Sequence, residues 1–391
     1  MSRAVVRVTP DGAKGLRHGN PWCYRTEIAQ WADGLAPGEI VDVVDAQKNP
    51  VGQAFAATRS PLALRLLTRK PSSEETIDAD FFARRFKAAL ERRASLHQRD
   101  AYRLVHGEAD LLPGLFVDRY GDALTLQTLS EGADARKRDW AAQLAKLTGA
   151  RLVVCRDDAS GRDFEGLPRE KRVLHGEPPT VIGYHEGPNR FEIDLVNDSK
   201  TGSFLDQVDN HLRAGELARG DALDTFSYHG GFALALARTC TSVVAVEQDA
   251  TAAEKIRANV AANGRKNVTV ETANAFDVLR AYADEGRRFD VVVIDPPGLA
   301  KRKEGIKAAR RAYHELNLRA LKLVKPDGLL VTCSCSGKVR RELFEAIVLD
   351  AAADAKRQVQ VLERRGAGVD HPALGALPET EYLKAWFLRV L

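Results

Sequence analysis

From about residue 181 to the end of the chain, apolar runs alternate with helical segments at least five times. Such alternation predicts an α/β fold, a mostly parallel sheet with helices on both faces. Two of the runs, residues 291–294 and 329–332, end close to side chains that can do chemistry: Asp295 follows the first, and Cys335 lies just beyond the second. Because ligands bind beyond the carboxyl ends of such strands, we expect this carboxylate and this thiol to share one crevice. The pairing suggests attack by sulfur on an electron-poor ring.

A second ligand is indicated by an earlier strand and the glycines after it. Residues 221–226 read as a strand that runs into Ser227 and Gly230, and a helical stretch follows. Glycine at such a junction lets a ligand approach the backbone closely. The next strand ends in Glu247, where an acid can bind two ribose hydroxyls. An alternative is that Glu247 stabilises the N-terminus of the following helix. The glycine spacing is not G-x-G-x-x-G, which disfavours a dinucleotide, although a nicotinamide ligand stays open on these features alone.

Composition limits the class of protein. A chain of 391 residues has room for two or three domains, and 44% hydrophobic with 29% charged residues is typical of a soluble globular enzyme. No apolar run approaches the roughly 18 residues of a membrane helix, and the first residues lack the apolar core of a signal peptide, so we expect a cytoplasmic protein. Five scattered cysteines fit no disulfide framework, and the isolated C-x-C at Cys333 predicts no metal site.

The chain divides into three regions of different pattern. Residues 1–72 hold short apolar strands separated by turn signals, which predicts a small β-rich domain. Residues 73–180 predict a central α+β domain, in which the charged segment 161–179 reads as a loop. Residues 181–391 carry the α/β pattern. Through Ser73 the first region has ten basic and six acidic residues, and both RNA docking and structural capping are open for it.

Two stretches are strongly basic although the net charge is only +4. Residues 301–325 hold nine basic and two acidic residues, and residues 84–103 hold seven basic and two acidic residues. The first stretch directly follows Asp295, so Lys301 and Arg302 lie at the rim of the expected crevice. A single stretch of this kind would read as a solvated helix face. Two of them predict a polyanionic substrate whose binding depends on salt.

At this point the motifs carry a resemblance. The C-terminal half resembles class I S-adenosylmethionine methyltransferases, and nearly the whole chain resembles the RlmI family of 23S ribosomal RNA cytosine-C5 methyltransferases. The motifs are specific together because they occur in the family's order and at its spacing. The matching stretches are His18-Gly19-Asn20-Pro21-Trp22, residues 107–114, Lys200-Thr201-Gly202-Ser203-Phe204-Leu205-Asp206-Gln207, Phe226-Ser227-Tyr228-His229-Gly230-Gly231-Phe232, Asp295-Pro296-Pro297 and Cys333-Ser334-Cys335-Ser336-Gly337.

The resemblance implies three domains: an N-terminal PUA-like domain, a central α+β domain and a Rossmann-like catalytic domain. It also implies that S-adenosylmethionine lies between residues 201–207 and the loop after Asp224, with Glu247 on the ribose and Asn274 and Ala275 at the adenine. The full set of cofactor-binding residues that it implies is Thr201, Gly202, Phe204, Asp206, Gln207, Asp224, Phe226, Ser227, Gly230, Glu247, Asn274, Ala275 and Asp295.

The chemistry of cytosine gives Cys335 and Asp295 their expected catalytic roles. The C5 carbon is too weak a nucleophile to attack a methyl sulfonium, but addition of the Cys335 thiolate at C6 activates it. We expect Asp295 to hydrogen-bond the N3/N4 edge of a base flipped out of its stack. The base that removes the C5 proton is either Asp295 or a water. The substrate-binding residues are expected to be Pro296, Pro297, Lys301 and Arg302.

The predicted substrate is large-subunit ribosomal RNA or a large-subunit precursor, with no membrane partner, and the resemblance suggests a homodimer. Two other functions stay open. One is a methyltransferase of the same fold acting on a guanine nitrogen, which needs no nucleophilic thiol. The other is a non-catalytic RNA-binding assembly factor that has kept the fold. Cys335 favours C5 chemistry over the first, and the retained Glu247, Asp295 and Cys335 argue against the second.

Overall fold

The computed structural model describes residues 3–198, 202–300 and 303–391. The chain forms two compact units. The first unit contains residues 1–184, 192–203 and 370–380, and the second contains residues 185–191, 204–369 and 381–391.

The first unit begins with a six-stranded sheet in the order β2-β6-β5-β4-β1-β3. Helix α1 (Pro10–Arg17) begins after Thr9, whose hydroxyl accepts from the amide of Gly12, and it buries Leu16 in the core of this sheet. The strands are β1 (Val5–Val8), β2 (Trp22–Tyr24), β3 (Ile28–Gln30), β4 (Ile40–Val44), β5 (Pro50–Ala56) and β6 (Leu62–Thr68). The β-rich N-terminal region is therefore confirmed.

A second sheet of the first unit has the order β11-β10-β9-β8-β7. Its strands are β7 (Ala101–His106), β8 (Leu115–Tyr120), β9 (Ala123–Thr128), β10 (Leu152–Asp157) and β11 (Glu170–His175), and its helices are α2 (Ala79–Arg92), α3 (Glu131–Asp134) and α4 (Lys137–Thr148). The prediction of a loop over 161–179 is wrong, because β11 lies within it. Strand β11 lies at the edge of its sheet: among the described residues its pairing partner is β10, and it is partly exposed along its length. Its sequence therefore lacks the alternation of apolar and polar residues that indicates a half-buried strand.

One core joins the first two predicted domains. Phe55 and Leu67 of the first sheet are buried in the same cluster as Phe82 and Trp140. The rings of Phe55 and Phe82 stack with their centroids 6.2 Å apart. These contacts place residues 1–184 in one compact unit, and the domain boundary near residue 72 stays a prediction.

The basic stretch 84–103 is largely occupied by internal contacts. Arg85 donates to the carbonyl oxygens of Leu67 and Leu111, and Arg93 forms a buried ion pair with Asp110. Arg103 donates to both carboxylate oxygens of Asp118. These guanidinium groups stabilise the unit, so the stretch supports a polyanionic substrate less than its sequence charge indicates.

A two-stranded hairpin of β12 (Val181–Glu186) and β13 (Asn189–Asp194) follows, and the division between the two units runs through it.

The second unit is a seven-stranded sheet in the order β16-β15-β14-β17-β18-β20-β19. Every pair from β16 to β18 is parallel, and β20 is antiparallel to both of its neighbours. The strands are β14 (Gly220–Thr225), β15 (Cys240–Glu247), β16 (Val268–Thr272), β17 (Phe289–Ile294), β18 (Val324–Ser334), β19 (Val359–Arg365) and β20 (Lys384–Val390). The prediction of a mostly parallel α/β sheet is confirmed.

In the part of the second unit that the structure describes, six α-helices accompany this sheet. They are α5 (Val208–Leu217), α6 (Gly231–Leu236), α7 (Ala250–Ala262), α8 (Ala275–Asp284), α9 (Ile306–Leu323) and α10 (Arg341–Asp354). Helices α8, α9 and α10 share a buried core with β17 and β18, whereas α6 and α7 contact β14 and β15 outside that core. Over the residues that the structure describes, none of the helices combines the length and the apolar character needed to cross a membrane.

Candidate active site

The thiol of Cys335 and the Asp295-Pro296-Pro297 segment lie together. Strands β17 and β18 are parallel neighbours, with Ile294 opposite Thr332. The segments that follow these two strands therefore leave the sheet at the same edge, as the sequence predicted. The Sγ atom of Cys335 lies 3.9 Å from the carbonyl oxygen of Pro296, a contact at which the thiol can donate a hydrogen bond. Pro296 is buried and Pro297 is exposed.

The two serines around Cys335 fix the conformation of its loop. The Ser334 hydroxyl donates to the Tyr313 hydroxyl at 3.0 Å, and Tyr313 lies 3.0 Å from Oγ of Ser336. Oγ of Ser336 also accepts from the amide of Ala300 at 3.2 Å. This network ties the loop after β18 to the loop after β17. Tyr313 could not be identified from the sequence, where a buried helical tyrosine that supports a loop looks the same as one that only packs.

Cys335 is the accessible thiol of the five. The five cysteines, all among the described residues, form no disulfide. Cys335 is partly exposed, and the other four are buried: Cys23, Cys155, Cys240 and Cys333. Burial raises the pKa of Cys333 well above its ordinary value. A thiol of that kind is a poor nucleophile at neutral pH. This contrast agrees with the choice of Cys335 over Cys333 as the nucleophile.

A buried lysine lies beside the Cys335 loop. Lys384 begins β20, opposite Ser334, and only 3% of it is exposed. Its Nζ donates to the carbonyl oxygens of Ser336 and Tyr382, at 2.8 Å in both cases. Burial lowers the pKa of Lys384 to about 8, although the negative charge of ionised Cys335 acts to raise it. Lys384 could not be identified from the sequence, where it is simply a lysine at the start of an apolar strand.

Asp295 is oriented by a chain of amide side chains. Nε2 of Gln207 donates to Oδ2 of Asp295 at 2.9 Å, and Asn210 donates to Oε1 of Gln207 at 2.6 Å. Nε of Arg365 donates in turn to Oδ1 of Asn210 at 2.8 Å. The side chain of Gln207 thus links Asp295 and Asn210 by hydrogen bonds, and its predicted contact with the cofactor stays a prediction. Asp206 accepts from the Tyr382 hydroxyl at 2.6 Å.

The loop after β14 has a buried acid at its start and a constrained backbone. Asp224 is 1% exposed, and neither of its carboxylate oxygens has a hydrogen-bond partner among the residues that the structure describes. Burial raises the pKa of this carboxyl to about 7. Phe226, Tyr228 and Gly230 have φ values of 63°, 49° and 88°, in the left-handed region that is unusual for residues with side chains. Ser227 holds the turn, since its hydroxyl donates to the carbonyl of Asp224.

A buried histidine lies behind this loop. A Cβ atom added at Gly231 would come within 2.3 Å of the His211 ring, so the start of α6 requires glycine. His211 is paired with Glu186 at 2.8 Å. Burial alone would lower the pKa of His211, but Glu186 raises it above its ordinary value, with Asp295 and Asp224 adding to the effect. The imidazole of His211 thus lies near the acids of this unit, a placement that the sequence did not indicate.

Glu247 lies at the end of β15 with its carboxylate held by the backbone. Its oxygens accept from the amides of Tyr228 and Asp249, both at 2.9 Å. The alternative was that Glu247 stabilises the N-terminus of the following helix. In the structure Asp249 caps that helix, α7, by accepting from the amide of Ala252. Each oxygen of Glu247 keeps a second lone pair for another donor.

Asn274 and Ala275 stand at the end of the neighbouring strand β16. Asn274 is exposed and caps α8 by accepting from the amide of Phe276 at 2.9 Å, while Ala275 is buried. The Asn274 amide donates to the side chain of Gln248 at 3.2 Å. Their predicted contact with adenine stays a prediction.

Comparison with known proteins decides the family. A PUA-like domain model matches residues 6–69, and a model described as conserved hypothetical protein 95 matches residues 205–352. The ribosomal RNA large subunit methyltransferase I of Erwinia tasmaniensis is 36% identical over 386 residues, 97% of each chain. The protein of the same name from Shewanella denitrificans is 37% identical over 394 residues, 98% of this chain and 99% of its own. The chain belongs to the ribosomal RNA large subunit methyltransferase I family. The predicted resemblance is confirmed.

Solved structures support the fold of this family member. A putative methyltransferase complexed with SAH has a TM-score of 0.85 at 18% identity, covering 99% of this chain and 100% of its own. A putative SAM-dependent methyltransferase from Streptococcus mutans has a TM-score of 0.83 at 17% identity with the same coverage. These likenesses confirm the methyltransferase fold and the PUA-like start of the chain. At the level of family and fold, they agree with S-adenosylmethionine as the predicted cofactor.

The residues that the structure describes fit such a cofactor. The orphaned carboxylate of Asp224 suits an ammonium group, and the carboxylate of Glu247 suits ribose hydroxyls. The predicted residues from Phe204 to Asp295 all belong to the second unit, whereas Gly202 belongs to the first. Thr201, Lys301 and Arg302 lie outside the described residues, so their predicted roles stay predictions.

Proposed function

We propose that this family member transfers a methyl group from S-adenosylmethionine to C5 of a cytosine in large-subunit (23S) ribosomal RNA, through a covalent bond between Cys335 and C6. The single observation that carries the proposal is the contact of the partly exposed Cys335 thiol with Pro296, at 3.9 Å, beside Asp295. A methyltransferase acting on a ring nitrogen would need no thiol at this edge. The names of the relatives supply the class of RNA.

Cys335 makes C5 reactive. Its thiolate gives an electron pair to C6, forming the S–C6 bond, and the electrons of the C5=C6 bond become available at C5. S-adenosylmethionine supplies, when bound, the methyl group that this carbon takes up. A base then removes the proton from C5, the C5=C6 bond forms again, and the S–C6 bonding pair returns to sulfur. Asp295 and a water both stay open as that base.

Asp295 balances the negative charge that forms on the ring by favouring protonation at N3. Its carboxyl group, held by Gln207, hydrogen-bonds the N3/N4 edge of the flipped cytosine and gives a proton to N3 as negative charge builds during addition. The N3 proton is released when the S–C6 bond breaks. Pro296 and Pro297 form a stiff wall, because both φ angles are restricted by the proline ring. An aromatic side chain would help to stack the base. Phe204 and Tyr228 lie close to each other, with ring centroids 4.8 Å apart, and are candidates for that contact.

The cofactor is held by the loops after β14, β15 and β16. Asp224 binds its amino group, Glu247 its ribose, and Asn274 with Ala275 its adenine. Phe226, Ser227 and Gly230 line the turn between them. RNA binding draws on the PUA-like region and on the basic helix α9, where Lys307, Arg311 and Lys322 are exposed. A homodimer and a cytoplasmic location remain part of the proposal.

The test identifies the product of the reaction. The full chain is incubated with labelled S-adenosylmethionine and large-subunit ribosomal RNA that lacks its modifications, and the methylated nucleoside is identified by mass spectrometry. The proposal expects 5-methylcytidine, and none with a Cys335→Ala variant that still binds S-adenosylmethionine in calorimetry. A methylated guanosine would keep the cofactor site and overturn the role of Cys335. Failure to bind the cofactor would support a non-catalytic RNA-binding protein.

A further inference from the structure

Lys384 is buried without a carboxylate partner. Lysine is almost never fully buried unless it is paired, because its ammonium loses hydration. Two of its three N–H groups donate to the neutral carbonyl oxygens of Ser336 and Tyr382. Among the described residues, neither a carboxylate nor any third acceptor lies within hydrogen-bond distance of its Nζ. The ammonium therefore lacks a counter-charge of the usual kind.

The neighbouring group that can supply the counter-charge is Cys335. Ser336, which accepts from Lys384, is the next residue in the chain, and Ser334 on the other side of Cys335 is the register partner of Lys384. The lysine thus holds the short segment that carries the thiol from both sides. Ionised Cys335 is the strongest charge that favours the ammonium form, followed by Glu381.

We infer that the Lys384 ammonium holds Cys335 as a thiolate in the resting protein and so activates the nucleophile. Cationic neighbours lower the pKa of a thiol and increase the fraction that can attack. For its part in turnover, this inference rests on the proposed function. The acidity of the thiol does not depend on it.

Other titratable groups face this pair from the elements packed around it. Asp295 follows β17, and its negative charge opposes the ionisation of a thiol, since it raises the pKa of the neighbouring Cys333. Tyr313 comes from α9 and Cys333 from β18, Arg341 begins α10, and Glu381 precedes β20. Burial keeps the pKa of Tyr313 at about 12 and that of Cys333 well above its ordinary value, so both are neutral at pH 7. Arg341 is paired with Glu381 at 2.8 Å. Of the two cations named here, Arg341 has a carboxylate partner, whereas Lys384 has none among the described residues.

Lys384 stabilises the charged sulfur of Cys335 and takes no part in the transfer of protons. The proton of the thiol passes to water when the thiolate forms. The sulfur electron pair then makes the S–C6 bond, and the same pair returns to sulfur when that bond breaks at the end of the cycle. The ammonium favours the charged sulfur at both stages and keeps its own proton throughout.

The test measures the acidity of the thiol directly. Alkylation of Cys335 by iodoacetamide is followed by peptide mass spectrometry from about pH 5 to about pH 10, and the midpoint of the rate gives the thiol pKa. In the unaltered chain we expect a midpoint below about 7.5, where an ordinary cysteine has about 8.5. Lys384→Met should raise it by about one to two units, and Lys384→Arg should raise it less. Lys322→Met, on the exposed side of α9, is the matched control and should leave it unchanged.

A midpoint of about 8.5 or above in the unaltered chain would overturn the inference, even if Lys384→Met failed to fold. So would an unchanged midpoint in a Lys384→Met variant that keeps its melting temperature and its affinity for S-adenosylmethionine. A merely structural lysine would lower stability without moving the midpoint. If the midpoint shifts but no 5-methylcytidine is made, the proposed function fails and this inference stands. If 5-methylcytidine is made and the midpoint does not shift, only this inference fails.

Discussion

Nε2 of Gln207 donates a hydrogen bond to Oδ2 of Asp295 at 2.9 Å. This contact gives Gln207, which is predicted to bind the cofactor, a second role in orienting the carboxylate for which we propose a catalytic function. Because Asn210 holds the other end of the Gln207 amide, the direction of the Asp295 carboxylate is set by side chains of the segment that begins α5. The consequence is a test that separates the two roles of Gln207.

Replacing Gln207 by Leu should lower kcat by a factor of about 10, because one hydrogen bond to a charged group is lost. The affinity for S-adenosylmethionine should stay within about twofold. Steady-state kinetics and calorimetry measure the two quantities separately. Glu216→Gln, a change on α5 at a side chain that is 63% exposed, is the control. A large loss of cofactor affinity with an unchanged kcat would support the predicted role of Gln207 in binding the cofactor and contradict its role in orienting Asp295.

Replacing Cys335 by Ala should lower methyl transfer by a factor of about 10⁴ or more, because the activating bond to C6 cannot form. Binding of the cofactor should be unchanged. Cys333→Ala is the matched variant, two residues earlier and within β18, and should keep most of the activity if it folds. Turnover is measured with labelled methyl donor and ribosomal RNA. Retained activity in Cys335→Ala would require another nucleophile or another reaction.

Asp224 should make the stability of the cofactor-free protein depend on pH. Burial raises the pKa of this carboxyl from 3.8 to about 7 in the folded state. The folded chain therefore binds that proton more tightly than the unfolded chain, and the contribution to stability is full below about pH 4 and is lost as the pH rises to about 7. In Asp224→Asn this loss is absent, so the difference in free energy of unfolding between variant and parent should grow between these pH values.

Denaturant unfolding at several pH values measures this difference, and calorimetry should show weaker binding of S-adenosylmethionine to Asp224→Asn. Asp221→Asn is the control, because Asp221 is on the same strand with its side chain 46% exposed. If the parent and Asp224→Asn differ by the same amount at every pH, the carboxyl is not shifted.

Replacing Gly231 by Ala should destabilise the second unit by about 1–3 kcal/mol, because the new Cβ would lie 2.3 Å from the His211 ring. The change should also weaken cofactor binding, since the ring supports the turn after β14. Gly337→Ala is the control, as nothing lies within 4 Å of the added atom there. Thermal unfolding of both variants compares them. Equal melting temperatures would show that the His211 ring moves without cost.

Replacing Tyr313 by Phe should lower kcat and stability together, the latter by about 1–2 kcal/mol. The hydroxyl of Tyr313 lies within 3.0 Å of both Ser334 and Ser336, and its removal leaves two buried serines with fewer partners. The KM for the methyl donor should be unchanged, because this network supports the thiol loop. Tyr382→Phe, which breaks the bond to Asp206, serves as the comparison.

Several features were determined by the sequence alone. The alternation of apolar runs and helices required an α/β sheet, and the residues after two of its strands were expected at one edge. The structure puts Cys335 and Pro296 in contact there because parallel strands end at the same edge whatever the details of packing. The motif order was also sufficient for the family, since spacing along the chain survives when most residues change.

Other features were decided only by the tertiary structure. The basic residues of the stretch 84–103 predict a surface that binds a polyanion. In the structure, however, Arg93 is ion-paired with Asp110 and Arg103 with Asp118, within the same unit. Residues 161–179 predict a loop because they are rich in charge, glycine and proline, yet the segment contains β11, which is held by its backbone pairing with β10. Three residues near the site bind partners distant in sequence. Lys384 donates to the carbonyl of Ser336, Tyr313 accepts from Ser334, and His211 pairs with Glu186. Local sequence specifies which residues form a strand or a helix, but the partner of a buried charge is chosen by the packing of elements far apart in the chain.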